Sequence, residues 1–129
     1  MARDSAFKLI YQIPFHGDLE VSDVMEIYAS GDEYAKLTET DIEFVNTAVN
    51  SCFDNIEEID SKINSSLKNW TINRISKVNL AILRLSISEM TYAEVPFQVS
   101  INEAVELAKK YSDDDAPAFV NGVLAEIIK

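Results

Sequence analysis

The amino-acid sequence predicts an all-α fold of about seven helices, and three observations carry that prediction. Apolar residues recur at steps of three and four along most of the chain, as helices burying one face require. No segment alternates polar and apolar residues over a strand's length. Three Gly and three Pro in 129 residues leave few breaks, which favours long helices.

The first helix is expected from about Arg3 to Phe15, ended by His16-Gly17-Asp18, with Ala6, Leu9, Ile10 and Ile13 as its buried stripe. At 100° per residue Asp4, Lys8 and Tyr11 cluster on another side, with Arg3 beside them. A short second helix follows Ser22 as its cap and closes near Ser30-Gly31, turning Val24, Ile27 and Tyr28 inward. The third and longest segment opens on Thr40 and Glu43, which have capping-box spacing. Its apolar positions are Ile42, Val45, Val49, Cys52, Phe53, Ile56, Ile63 and Leu67, with a break expected near Asp60-Ser61. Trp70 and Ile72 suit a short helical turn that plugs the core.

From Ser76 to about Ala93 the apolar residues Val78, Leu80, Ile82, Leu83, Leu85, Ile87 and Met90 occupy nearly the whole circumference. A helix apolar all round is a central one. Arg84 lies inside it and needs a partner, since an unpaired charge there is costly. Pro96 suits the first position of the next helix, whose stripe is Phe97, Ile101, Ala104, Val105, Ala108 and Tyr111. Ser100 with Glu103 offers a competing start one turn later. Pro117 opens the last helix, carrying Phe119, Val120, Val123, Leu124, Ile127 and Ile128. With no linker, repeat or low-complexity tract, residues 1–129 are read as a single domain.

The bulk properties exclude several classes. An apolar content of 47% supplies a core, and no stretch approaches the ~18 apolar residues of a membrane span. No apolar run follows Met1-Ala2-Arg3-Asp4, so no signal peptide is expected. The lone Cys52 makes no internal disulfide, which points to a reducing cytoplasm. The net charge of −11 is uneven: residues 1–67 carry 14 acids against 4 cations, residues 68–129 carry 8 against 7. The second half, with Lys68, Arg74, Lys77, Arg84, Lys109, Lys110 and Lys129, has enough cations for a local basic patch.

Groups fit for catalysis are scarce, and the chain reads as a docking protein rather than an enzyme. His16 in a turn and Cys52 on an apolar stripe make a poor nucleophile–base pair, and Cys52 is better read as a small buried hydrophobe. No glycine-rich phosphate loop is present, and no cofactor is implied. Asp113-Asp114-Asp115 lacks calcium-loop spacing and is read as a solvated connector near a helix's positive end, so no metal is expected. Glu89 and Glu103, on apolar helices, are expected to meet Arg84 or to cap a helix end rather than to act as a carboxylate pair. Tyr11 with Lys8 and Arg3 departs from a plain core-and-solvent pattern. A tyrosine beside cations can stack on a base while its neighbours hold phosphates. The plain alternative is a ring lying along the bundle with a wet hydroxyl.

Three blocks then occur in order: Ile82-Leu83-Arg84-Leu85 with Glu89; Val95-Pro96 with Val99-Ser100-Ile101-Asn102-Glu103-Ala104-Val105-Glu106-Leu107-Ala108-Lys109; and Phe119-Val120-Asn121-Gly122-Val123-Leu124. In this order and spacing the chain resembles the bacterial transcription antitermination factor NusB family. Ala2-Arg3, Ala6 and Leu9-Ile10-Tyr11-Gln12 agree with it, while residues 18–66 match in length and helical pattern only.

The resemblance implies two three-helix sub-bundles. It also implies binding to single-stranded boxA-type RNA of ribosomal RNA transcripts beside NusE, a small-subunit ribosomal protein, in a complex that helps RNA polymerase pass terminators. By position it assigns RNA contact to Arg3, Lys8, Tyr11 and Asn79, and partner contact to Asn79 and Asp115. Asn79 stands where an acidic residue is common in the family. The same domain type also precedes ribosomal RNA cytosine methyltransferases, and the stand-alone factor is expected here. It leaves monomer and homodimer both open. The alternative reading is a protein-only helical adaptor of the same fold without RNA contact.

Overall fold

The computed structural model describes residues 2–12, 26, 31, 35–67 and 71–129. Six α-helices are seen among them: α1 (Ala2–Gln12), α2 (Glu39–Asp54), α3 (Ile56–Ser66), α4 (Lys77–Tyr92), α5 (Phe97–Tyr111) and α6 (Ala116–Ile127). A 3-10 turn, Ile72–Arg74, lies between α3 and α4. The expected second helix with Val24, Ile27 and Tyr28, the end of the first helix with Ile13, His16, Lys68 and Trp70 lie outside the described residues.

Helix α4 packs against all five of the others, as its all-round apolar surface demands. On one side it forms a three-helix group with α1 and α2, and on the other a group with α5 and α6. The expected pair of sub-bundles is therefore present and shares α4, with α3 lying against both α4 and α6. Ile82, Leu83, Leu85 and Ile87 of α4 meet Leu9 and Ile10 of α1, Val45 and Val49 of α2 and Val120 and Leu124 of α6 in one buried cluster.

Several local expectations are corrected. The capping box of α2 is Thr38 with Asp41, not Thr40 with Glu43. The Asp41 N–H donates to Thr38 Oγ1 and the Thr38 N–H donates to Asp41 Oδ2, each at 3.1 Å. Leu37, just before the cap, packs against the core, whereas Glu39 before Thr40 has no apolar surface to anchor an entry there. The break between α2 and α3 falls at Asn55 rather than at Asp60-Ser61. Asn55 leaves helical geometry and its side-chain amide donates to the Ser51 carbonyl at 2.9 Å, competing with the helix ladder. Asp60 remains helical and turns towards Arg84.

Pro96 caps α5 from one position before the helix, and Ser100, the competing start, lies inside it. The face α5 buries is Ser100, Ala104, Leu107 and Ala108, so the expected stripe is rotated and Phe97 is 50% exposed. Small residues decide this: Ser100 Oγ lies 2.7 Å from Ser86 Oγ and also donates to the Ser86 carbonyl, which brings α5 close against α4. Ile128 of the last stripe is likewise exposed.

Candidate nucleic-acid interface

Helix α1 presents two polar faces, and they do different work. Arg3 is turned inward between α2 and α4. Its Nε lies 3.1 Å from both carboxylate oxygens of Glu89, and its guanidinium lies 5.2 Å from the centre of the Phe44 ring. Arg84 makes a separate two-point pair with Asp60, at 2.8 and 2.7 Å. The expectation that Glu89 meets Arg84 is thus corrected: one turn plus one residue separates them, and each faces a different neighbouring helix. Burial pushes the Glu89 carboxyl above its ordinary range; Ser100 and Arg3 pull it back, and Glu103 adds to the rise. The expected placement of Arg3 beside Lys8 and Tyr11 is corrected in the same way.

The second face of α1 carries Asp4, Lys8 and Tyr11. Tyr11 is half-buried against the core, and its ring centre lies 6.2 Å from that of Phe7, which stacks at 4.8 Å on Tyr111 of α5. Asp4 accepts a hydrogen bond from the Tyr111 hydroxyl at 3.0 Å and pairs with the Lys110 ammonium. Burial works to raise the Asp4 carboxyl, but Lys110 and Tyr111 outweigh it and hold it below its ordinary value. The exposed Lys110 ammonium is correspondingly raised by Asp4 and Tyr111.

Asn79 and Asp115 lie on the wall of one cavity at the other predicted place. Ser76 caps α4 by accepting the Asn79 N–H at 3.1 Å, which fixes Asn79 in the first turn. The Ser112 hydroxyl donates to Asn79 Oδ1 at 2.7 Å, tying the α5–α6 connector to the start of α4. Asn79, Asp113, Asp115, Arg74 and Phe119 share the wall of a cavity of about 400 Å³. In the connector the Asp115 N–H donates to Asp113 Oδ1 at 3.2 Å. No group of three or more His, Cys, Asp or Glu among the described residues is placed to hold a metal ion. No helix among them is long and apolar enough to cross a membrane.

The structure therefore brings together Lys8 with Tyr11, and Asn79 with Asp115, and sets Arg3 apart from both pairs. Sequence reasoning passed over Phe7, which is buried, and the Asp4–Lys110–Tyr111 cluster. The position of Phe7 next to the Ala6 stripe was a usable signal; a cluster spanning 107 residues left none.

The family model described as the NusB family matches residues 1–129. The chain belongs to the NusB family. A transcription antitermination protein NusB from Acetivibrio thermocellus is 43% identical over 99% of this chain and 86% of that protein. One from Clostridium novyi is 40% identical over 99% and 96%. Among solved structures, NusB of T. maritima superposes with a TM-score of 0.87 at 31% identity, covering 98% of this chain and 87% of its own. The antitermination factors NusB and NusE in complex with double-stranded RNA give a TM-score of 0.86 at 31% identity, covering 98% and 92%. These NusB relatives match along nearly the whole chain, including residues 18–66, where the sequence resemblance rested on pattern alone.

Proposed function

We propose that this chain is a transcription antitermination factor that binds boxA-type RNA together with NusE. One observation carries the reading: over 98% of its length the chain follows a protein solved with NusE and RNA. On this reading Tyr11 stacks on a base and Lys8 and Arg3 neutralise phosphates, while Asn79 and Asp115 meet NusE, Asn79 touching RNA as well. The RNA of that relative is double-stranded, whereas stacking on Tyr11 calls for an unpaired base, which is why a single-stranded boxA element is the proposed target. The chain acts as one domain in the cytoplasm, joins an assembly with RNA polymerase and catalyses no reaction.

A second reading, a protein-only adaptor, is favoured by one observation. Arg3 is already engaged by Glu89 and Phe44, which leaves the α1 face fewer cations for RNA. A gel-shift with boxA-type and scrambled RNA, with and without NusE, separates the two. Selective binding that needs NusE supports the first. Equal binding of both RNAs by the pair, with Tyr11→Ala silent, replaces it by the adaptor.

A further inference from the structure

Lys110 belongs to α5, yet its ammonium pairs with Asp4 on the face of α1 that also carries Lys8 and Tyr11. Asp4 and Lys8 are four residues apart and Tyr11 a further three, so all three line one side of the helix. The buried Phe7 ring links Tyr11 to Tyr111 of α5, with centres 6.2 and 4.8 Å apart. Lys110 also lies 5.2 Å from the centre of the Tyr111 ring. A lysine and a tyrosine thus stand on each of the two helices, Lys8 with Tyr11 and Lys110 with Tyr111, and Phe7 links the two rings.

We propose that Lys110 is a phosphate-contacting residue of the RNA face, and that Asp4 occupies it as an internal competing anion. The assignment rests on the RNA-binding reading above. Three features support it. The Lys110 side chain is 60% exposed while Asp4 is 26% exposed, so the ammonium is reachable from solvent and its partner is recessed. Asp4 keeps the Tyr111 hydroxyl as a donor when Lys110 swings outward, so it is not left unsatisfied. An exposed ion pair is held weakly and exchanges readily for a phosphate oxygen. Around the same shallow cavity Lys109 is tied to Glu106 at 3.2 Å, and Glu103 adds a further negative charge. Lys110, with its carboxylate beneath it, is released by neutralising Asp4.

The test is a salt titration of binding between a labelled single-stranded boxA-type RNA and the protein–NusE pair, comparing wild type with Asp4→Asn, Lys110→Ala, the double variant and Tyr11→Ala. Asp4→Asn keeps an acceptor for Tyr111 and removes the charge, and it is expected to bind about two- to fivefold tighter. Lys110→Ala is expected to weaken binding and to make the salt slope shallower by about 0.7. The gain from Asp4→Asn should vanish in the Lys110→Ala background. A gain that persists there, or an Asp4→Asn loss with NusE binding intact, overturns the assignment. If wild type binds and Tyr11→Ala weakens it while Lys110→Ala matches wild type in affinity and slope, this inference fails and the RNA-binding reading stands. If wild type binds no RNA, both fail.

Discussion

Arg3, near the start of the chain, closes on the carboxylate of Glu89, 86 residues later and 1% exposed, with its Nε 3.1 Å from each oxygen. The pair pins α1 to the end of the central helix.

Removing Arg3 leaves a buried carboxylate without its cation, so Arg3→Ala is expected to cost about 2–4 kcal/mol. The loss depends on pH. Glu89 has a folded pKa raised above its unfolded value, so its contribution is fully present below the unfolded value and lost as pH rises through the folded one. Arg3→Ala raises that folded value further, and the variant's deficit should be larger at neutral pH than near 4.5, the ordinary glutamate value. Urea melts at the two pH values measure this, and Arg3→Ala with Glu89→Gln should recover part of the loss. An equal deficit at both would remove Glu89 from the account.

Backbone conformation gives a pair of opposite glycine tests. Glu94 follows α4 with φ 55°, while the Val95 N–H and the Ala93 N–H both donate to the Glu89 carbonyl. This is a left-handed helix end occupied by a residue with a Cβ, and Glu94→Gly should stabilise by about 0.5–1 kcal/mol. Gly122 lies exposed inside α6, and a Cβ there meets nothing within 4 Å. Gly122→Ala should add about 0.5–1 kcal/mol. Thermal melts of both variants check the signs.

Cys52 is fully buried, and burial pushes its thiol up to about 11. In the native protein it should resist a thiol reagent at about pH 8 and react fully once denatured. Fast native labelling would show that α2 opens locally.

Within the pair with NusE, Tyr11→Ala should remove about 1–3 kcal/mol of RNA binding if a base stacks there. Lys8→Ala should mainly flatten the salt response, by roughly 0.7 for one lost phosphate contact. The protein alone should bind weakly with a shallow slope, because its net charge is −11. Fluorescence anisotropy across a salt series reads all three.

The sequence by itself determined which helix is central, because a helix apolar all round has no face to give to water, and α4 touches every other helix. Its ordered blocks also marked the family, since the helices packed around α4 draw on them. The tertiary structure decided what periodicity cannot hold. Two boxes had near-equivalent capping spacing, and Leu37 packing on the core chose Thr38 over Thr40. Two serines meeting across helices turned α5 and left Phe97 outside. Arg3 and Lys8 read alike as cations on α1, yet only Arg3 lies opposite Glu89. Helical spacing fixes which side chains share a face; which charge lies across from that face depends on the angle at which a distant helix arrives.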